Sequence, residues 1–306
     1  MTALTAPQFT DETAAMAHLE ASRWPDGKAV CPHCGSENVH KMGGQTQAGM
    51  FLCNDCRDKF TGRTGTVMER SKIPIHKWLL AIHLMSTAKN GMSAHELHRL
   101  LGVTYKTAWF LAHRIRKAMD DDKPAPMGGE GGQVQADETY YGNTSKRSKA
   151  RRAGRKERKE AVFAMVDPNT GIARAVHMTL GAGASVVREH LVTNVDRKST
   201  LVTDESPLYT KVGKEFAAHE TMIHTGREYV NRRGYTTSNV ENFFLQFKRG
   251  MRGTYIHCEP QHLQRYLNEF AFRYSNRSGL GIGDIERAER TLKGIEGKRL
   301  TYRSPD

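Results

Sequence analysis

The stretch CPHCGSENVHKMGGQTQAGMFLCNDC at residues 31–56 contains four of the five cysteines of this 306-residue chain. These cysteines form two Cys-X-X-Cys pairs, Cys31 with Cys34 and Cys53 with Cys56. Two such pairs at this separation are typical of a closed tetrahedral zinc site with four thiolate ligands. Residues 27–61 are therefore predicted to form a zinc ribbon, because two short turns bury too little apolar surface to be stable without the metal.

A disulfide framework or a redox pair is the alternative interpretation of these cysteines. It is disfavoured because no secretory leader is recognised ahead of them and because the chain is far longer than small disulfide-stapled domains. His33 lies inside the first pair and is expected to be a solvent-facing turn residue, since four thiolates already complete the site. The sequence thus predicts structural zinc as a cofactor.

The chain is strongly basic, with 46 Lys and Arg against 33 Asp and Glu, a formal net charge of +13 and a pI of about 9.6. Such an excess predicts a polyanionic partner, most simply nucleic acid. The mean hydropathy is -0.61. No apolar run approaches the roughly 18 residues of a membrane span, and no signal peptide is recognised. The expected location is cytoplasmic, with no membrane partner.

The positive charge is concentrated at residues 145–160, which contain nine basic residues and two acidic ones. A run of this kind is either a solvated loop or a phosphate-binding segment. The motifs around it favour phosphate binding. The residues of the run predicted to contact DNA are Lys146, Arg147, Lys149, Arg151, Arg152, Arg155 and Lys156.

Hydrophobic spacing predicts several helices between residues 62 and 119. Ser93 and Glu96 form a capping-box pair ahead of a helix that should stop at Gly102, and a basic helix should begin at Thr104. This order is typical of a helix-turn-helix, whose last helix enters the major groove, although a plain three-helix packing unit gives the same pattern. The candidate DNA contacts on the last helix are Lys106, Arg114, Arg116 and Lys117.

The segment DDDKPAPMGGEGG at residues 120–132 favours neither a helix nor a strand, so it is predicted to be the main linker. The expected organisation is a helical segment at 1–26, the ribbon at 27–61, a helix-turn-helix domain at 62–119, the linker, a strand-rich domain at 133–280, and a C-terminal helix and tail at 281–306. The fold class is multidomain α+β.

Beyond the linker, the residue pattern becomes typical of β-strands. Strands are predicted at 134–141, 161–166 and 172–178, followed by a helix at 185–195, a strand at 199–204 and then further helices. Three strands, a helix, a strand and a helix form the element order of the RNase H-like fold, an α/β domain with a mixed sheet. The first and fourth strands of that fold are neighbours, so acidic residues near their ends should converge.

Three carboxylates are placed to converge in this way. Asp137 lies in the first strand, Asp204 ends the fourth, and Glu241 opens a helix predicted at 239–250. Three carboxylates in one place repel one another unless a divalent cation is present. Two Mg²⁺ or Mn²⁺ ions held by them would support phosphodiester hydrolysis and strand transfer. The alternative interpretation is that Glu241 and Lys248, further along the same helix, are ordinary surface charges.

Lys248 follows Glu241 by two helical turns, so both residues project from nearly the same helix face. A cation there would meet a DNA phosphate beside the metals. Arg249 is a further candidate DNA contact. Glu138 and Glu205 are not expected to be ligands, because adjacent side chains of a strand point to opposite faces.

Several stretches resemble the insertion-sequence transposases of the ISXO type. They are QADETYYG at 135–142, VTD at 202–204, VENFFLQFKRG at 240–250, GTYIH at 253–257 and HLQRYLNEF at 262–270. The resemblance covers roughly residues 12–277. It implies an N-terminal zinc ribbon, a helix-turn-helix and an RNase H-like DDE domain in a bacterial, nucleoid-associated protein.

The resemblance also implies that Asp137, Asp204 and Glu241 bind the catalytic metals and that Lys248 assists at DNA. Since some members use Asn at the third position, Asn239 and Asn242 are rivals to Glu241. The expected function is a DNA transposase that acts as a homo-oligomer on its terminal repeats and on double-stranded target DNA. The alternatives are a non-catalytic DNA-binding regulator derived from a transposase and a structure-selective nuclease of the same fold.

Overall fold

The structure is a computed structural model, and it describes residues 3–44, 48–142, 159–178, 181–222, 230–231 and 233–301. The chain divides into two compact units. The first contains residues 1–121 together with 281–306, and the second contains residues 122–280. Among the described helices, none is long and apolar enough to cross a membrane.

The zinc ribbon lies near the start of the first unit. Helix α1 (Glu12–Arg23) precedes a three-stranded antiparallel sheet in the order β1-β2-β3, formed by Val39–Lys41, Met50–Cys53 and Lys59–Thr61. The rings of Trp24, Phe51 and Phe60 pack together with centroids 5.3–6.2 Å apart. Because this core is small, it gives the ribbon little stability by itself.

Three helices follow the ribbon: α2 (Ile75–Thr87), α3 (Ala94–Leu101) and α4 (Tyr105–Ala118). The Ser93 hydroxyl accepts the backbone N–H of Glu96 at 3.1 Å, and α3 ends at Gly102 with a left-handed φ of 61°. The Thr104 hydroxyl accepts the N–H of Thr107 at 3.2 Å and so caps α4. The predicted starts and stop are confirmed, because capping depends on local sequence.

The C-terminal segment lies in the first unit although it is distant in sequence. Helix α8 (Asp284–Lys293) packs against α2, where the hydroxyls of Ser86 and Thr291 are 2.8 Å apart in a buried contact. The backbone carbonyl of Ile295 accepts the N–H of Val67 at 3.0 Å. The sequence predicts this helix but not the partner against which it packs.

The second unit contains a five-stranded sheet in the order β6-β5-β4-β7-β8. Its strands are β4 (Gln133–Gly142), β5 (Lys159–Val166), β6 (Ala173–Met178), β7 (Thr200–Asp204) and β8 (Ala218–Met222). The pairs β4–β7 and β7–β8 are parallel, and β4–β5 and β5–β6 are antiparallel. The mixed sheet with β4 beside β7 is the RNase H-like arrangement that the sequence predicts.

Helices cover both faces of this sheet. Helices α6 (Ser238–Gly250) and α7 (Pro260–Ser275) pack on one face, and helix α5 (Ala184–Asn194) packs on the other. The aromatic and aliphatic side chains of α7 are buried in the core with α6. Because side chains alternate between the two faces along β4, every second side chain of this strand points toward α6.

Two segments differ from the sequence prediction. Strand β8 was not predicted, because the sequence AHETM is poor in the β-branched and aromatic residues that signal strands. Residues 122–132, predicted to be linker, lie in the second unit, where Met127 is 2% exposed and its N–H donates to the carbonyl of Asn194 at 2.8 Å. Met127, the Gly129 N–H that donates to the Ser199 hydroxyl at 2.8 Å, and the Gly132 carbonyl that accepts the N–H of Thr200 at 2.9 Å anchor this polar, glycine-rich stretch.

Candidate carboxylate centre and zinc-ribbon cysteines

The four predicted zinc ligands come together in the ribbon. Their Sγ atoms all lie within 4.8 Å of one another. The pairs Cys31–Cys56 and Cys34–Cys53 have Sγ–Sγ distances of 3.7 and 3.6 Å. A tetrahedron with Zn–S bonds of about 2.3 Å has edges of about 3.8 Å, whereas a disulfide requires about 2.05 Å. The arrangement fits a thiolate-bound zinc ion and excludes disulfides among these four cysteines.

Asp137 and Asp204 occupy the same level of two neighbouring parallel strands. Gln135 of β4 pairs with Val202 of β7, and each aspartate follows two residues further along its strand. Because side chains alternate along a strand, the two aspartates project to the face shared by Gln135 and Val202. The convergence predicted for the first and fourth strands is therefore present at this end of the sheet.

The antiparallel register with β5 identifies that face. Asp137 lies opposite Ala164, which belongs to the core beneath α6 and α7, and Glu138 lies opposite Phe163, which belongs to the core on the α5 side. Asp137 thus faces α6 and Glu138 faces away from it. The expectation that these adjacent acids separate across the sheet is confirmed.

Gln135 fixes the start of α6 above Asp137. Its side chain is fully buried, and its Oε1 accepts the backbone N–H groups of Asn239 at 3.0 Å and Val240 at 3.2 Å. Helix N-termini leave such N–H groups without intrahelical partners, so the amide oxygen serves as a cap supplied by another element. The role of Gln135 was not predicted, although its position two residues before Asp137 places both on one face.

Glu241 lies in the first turn of α6. Its carboxylate accepts the Thr237 hydroxyl at 2.8 Å, and its charge contributes to the raised pKa of Asp137. The side chain of its rival Asn242 instead accepts the amide of Gln246 at 2.7 Å on the exposed side of the helix. Glu241 thus acts electrostatically on Asp137, whereas the Asn242 side chain is hydrogen-bonded to its own helix.

The electrostatics of Asp137 reflect an acidic cluster in a poorly solvated place. Burial, followed by the negative charges of Asp204, Glu138 and Glu241, raises the pKa of Asp137 to about 7. Within the described part of the chain, however, the cysteines are the one group of three or more ligating side chains that meets at metal-binding distance. The three carboxylates interact through their charges without being drawn to that spacing.

Lys248 and Thr139 extend the same face. The Lys248 ammonium donates to the hydroxyl of Thr139, which lies two residues beyond Asp137 on β4. Burial and the positive charge of Arg252 lower the pKa of Lys248, and Asp137 acts in the opposite direction. A cation, an acid and the helix bearing Glu241 are thus assembled on one surface of the sheet.

Glu138 has its own partner on the opposite face. The buried Tyr209 hydroxyl donates to the Glu138 carboxylate. Burial raises the pKa of Glu138, and the negative charge of Asp204 adds to this effect. Burial and the Glu138 charge raise the pKa of Tyr209, so the phenol remains a donor. This pair was not predicted, because Tyr209 is far from Glu138 in sequence.

The predicted DNA contacts of the last helix separate into exposed and buried residues. Lys106 is exposed at the start of α4, and Lys117 forms an ion pair with Asp120 at 2.8 Å. Arg114 and Arg116 are only 8% and 2% exposed. Their prediction as DNA contacts does not fit this burial, since helical spacing alone does not reveal which cations the fold covers.

Arg114 has structural partners instead. Its guanidinium donates to the backbone carbonyl of Glu69 and lies 5.6 Å from the Trp78 ring centroid and 5.3 Å from that of Phe110. In the second unit, Arg249 is exposed on α6. The basic residues predicted to bind DNA between 146 and 156 lie outside the described residues.

Known protein families match segments of both units. Residues 130–275 match the ISXO2-like transposase domain, and residues 10–59 match the transposase zinc-ribbon domain. An uncharacterized protein in transposable element ISH50 of Halobacterium salinarum is 30% identical over 278 residues, which cover 87% of this chain and 91% of that protein. The chain belongs to the ISXO2-like family of transposases.

Sequence identity to solved structures is lower than to this relative. A chain of the simian T-cell lymphotropic virus intasome with PP2A regulatory subunit B56 gamma is 18% identical, with a TM-score of 0.30. The match covers 57% of this chain and 63% of that one. The catalytic core domain of BIV integrase is 17% identical, with a TM-score of 0.30, over 45% of this chain and 80% of that domain.

Proposed function

We propose that this protein is a DNA transposase that cuts and joins strands at the ends of its mobile element. The observation that carries the proposal is the level placement of Asp137 and Asp204 on adjacent parallel strands beneath the first turn of α6. That turn contains Glu241. The three carboxylates are the proposed ligands of two Mg²⁺ or Mn²⁺ ions.

The donor set fits such ions. Carboxylate oxygens are preferred by Mg²⁺ and Mn²⁺. The charges of Asp204 and Glu241 reinforce the burial that raises the pKa of Asp137, so bound cations would relieve this repulsion and favour its ionised form. When bound, two ions supply activation of a water or 3′-hydroxyl and neutralise the leaving oxygen.

Around the metals, the protein's own groups position the DNA. Lys248 holds a phosphate close to Asp137, on the surface that it shares with Thr139. Gln135 keeps the first turn of α6 against β4 through two hydrogen bonds, so Glu241 stays on the Asp137 side. Lys248 and Gln135 therefore position the DNA and the helix that bears Glu241, and neither is proposed to bond to the reacting atoms.

The first unit is proposed to recognise the terminal repeats. The α3-turn-α4 segment acts as a helix-turn-helix, with exposed Lys106 at the start of α4 directed to DNA. The ribbon holds zinc through Cys31, Cys34, Cys53 and Cys56, and the metal supplies the stability that its small aromatic core lacks. The basic run at 146–156 and Arg249 bind phosphates.

Transposition joins two element ends to a target, so the protein is proposed to act as a homo-oligomer on double-stranded DNA at the bacterial nucleoid. Its partners are the terminal repeats and the target duplex. Recognition of the repeats by one unit and chemistry by the other divides the work between the two compact bodies of the chain.

A strand-cleavage and joining assay on the element's own flanking ends, with Mg²⁺, tests this function. The Asp204→Asn and Glu241→Gln variants should each lose at least about a thousandfold in rate. Glu205→Gln is the matched control, because Glu205 is an exposed neighbour of Asp204, and it should keep wild-type activity.

Other outcomes identify the rivals. Wild-type protein that binds the ends but never cuts them would be a regulator. Protein that cuts but never joins strands would be a nuclease. Loss in Asp204→Asn but full activity in Glu241→Gln would move the third ligand to Asn239 or Asn242.

A further inference from the structure

The segment after α6 contains an unusual backbone turn. A π-helical turn (Met251–Tyr255) continues from α6 and leads to Ile256, whose φ is 59° and ψ is -51°. The His257 N–H donates to the Tyr255 carbonyl at 2.5 Å, so Ile256 is the centre of a γ-turn of the rare, strained hand. A β-branched residue is among the least suited to a positive φ, and such outliers cluster at functional sites.

Buried contacts with α7 hold this turn in place. The Tyr255 hydroxyl donates to Glu269 at 2.6 Å, and Arg273 donates to the same carboxylate at 2.7 Å. Glu269 is fully buried. The Tyr255 ring also packs edge-on against Tyr266 at a centroid distance of 4.7 Å. The strain at Ile256 persists because its neighbour is fixed by a polar and aromatic network.

The Ile256 side chain itself takes no part in that network, since it is 78% exposed. Three cations precede it in sequence: Lys248, Arg249 and Arg252. Burial and the charge of Arg252 lower the pKa of Lys248, which shows that two of these cations lie near each other. In the ranges that the structure describes, neither Arg249 nor Arg252 has a carboxylate within ion-pair distance. The surface suits a polyanion with apolar groups at its centre.

Exposed residues connect this turn to the carboxylates. Glu241, Leu245, Arg249 and Arg252 recur at helical spacing and are all exposed. Helix α6 rises about 14 Å from Glu241 to its end, which corresponds to about four base pairs of DNA. DNA with its scissile phosphate at Glu241 would therefore reach Ile256 after about four to six base pairs.

We propose that Ile256 is an apolar wedge that presses into the base stack of the bound DNA while Arg249 and Arg252 hold the flanking phosphates. The proposal rests on the transposase function, because it takes the same DNA. Isoleucine and other apolar side chains unstack base steps when a protein presents them rigidly among cations. The strained turn provides that rigid presentation, and the local distortion opens the duplex beside the cleavage site.

Site-specific 2-aminopurine in duplexes of the element's own ends tests the wedge. The fluorophore is placed in turn at each of the first ten or so base pairs beside the cleaved bond, and full-length protein is added without Mg²⁺. Wild-type protein should raise the fluorescence at least about twofold at one or two positions. Ile256→Ser should lose this rise while binding the duplex within about tenfold of wild type.

Two further variants test whether the fluorescence rise depends on an apolar side chain at position 256. Ile256→Leu retains apolar bulk and should retain the rise. Ile285→Ser removes another exposed aliphatic side chain, from α8 of the other unit, and it too should retain the rise. Circular dichroism melting of each variant should match wild type or exceed it, since both positions are exposed.

The proposal is overturned if Ile256→Ser gives the wild-type rise, or if wild-type protein binds and cuts the ends without a rise at any position. Both of these outcomes leave the transposase function standing. Wild-type protein that neither binds nor cuts the ends would instead overturn the function and the wedge together.

Discussion

The buried side-chain oxygen of Gln135 in strand β4 accepts the backbone N–H of Val240 in helix α6 at 3.2 Å. The neighbouring N–H of Asn239 donates to the same oxygen at 3.0 Å. One amide thus ties the strand that holds Asp137 to the helix that holds Glu241. Its own Nε2 has no hydrogen-bond partner in the described structure, so the oxygen makes the hydrogen bonds of this side chain.

Replacement of Gln135 by Leu should uncouple the two elements. Two helix N–H groups would be left buried without an acceptor, which costs about 2 kcal/mol of unfolding free energy. Strand cleavage should fall while the Kd for DNA stays near wild type, because Gln135 positions Glu241 rather than binding DNA. Gln135→Asn keeps a neutral amide acceptor and should recover part of the rate. Equal loss in both variants would contradict the capping role.

The raised pKa of Asp137 predicts a pH-dependent stability. Burial and the surrounding carboxylates raise the pKa from 3.8 to about 7, so folding favours the protonated form. This stabilisation is complete below the unfolded pKa and is lost as the pH rises through about 7. Without added divalent cations, the unfolding free energy of wild type should fall by on the order of 4 kcal/mol relative to Asp137→Asn between pH 4 and 8.

Urea unfolding followed by circular dichroism measures this difference. The three tryptophans, Trp24, Trp78 and Trp109, all belong to the first unit, so their fluorescence should not distinguish the two proteins. Parallel stability curves for wild type and Asp137→Asn would show that Asp137 titrates normally.

Loss of one zinc ligand should open the ribbon. Cys53→Ala removes a thiolate from the four-cysteine group and should reduce bound zinc from about one ion per chain to almost none. The Trp24 emission should shift to longer wavelength, because its contacts with Phe51 and Phe60 depend on the ribbon. Cys258→Ala is the control, since Cys258 lies outside the group. Wild-type zinc content in Cys53→Ala would refute the site.

Replacing the exposed Lys106 of α4 should weaken DNA binding, whereas replacing the buried Arg114 should lower stability. Lys106→Ala should reduce the slope of log K against log salt for DNA binding by about one unit, with little change in stability. Arg114→Ala should instead cost about 2–3 kcal/mol of unfolding free energy, because a buried hydrogen bond and two cation–ring contacts are lost. An unchanged melting temperature in Arg114→Ala would contradict its structural role.

The turn at Ile256 predicts a trade between stability and function. Ile256→Gly relieves a positive φ of 59° and should raise the unfolding free energy by about 1 kcal/mol. The same change removes the proposed wedge and should slow strand cleavage. Exposed Ile285 in the other unit, which has a helical backbone, is the matched control, and Ile285→Gly should lower stability. A destabilised Ile256→Gly protein would show that the turn is unstrained.

Local sequence determined much of this protein. Ser93, Gly102 and Thr104 set the ends of α3 and α4, and the two Cys-X-X-Cys pairs fixed the ribbon, because capping and metal ligation depend on a few residues at fixed spacing. Period-two and period-3.6 patterns likewise predicted β4 to β7, α5 and α6. The separation of Asp137 from Glu138 followed from strand alternation alone.

Tertiary structure decided what distant residues do together. The burial of Arg114 and Arg116, the Tyr209 hydroxyl on Glu138, and the packing of α8 on α2 all join residues whose partners are remote in sequence. Strand β8 forms as the edge neighbour of β7 despite a sequence with weak β-propensity. Charge and spacing specify which groups a chain presents, but burial and hydrogen-bond partners depend on which surfaces the fold brings into contact.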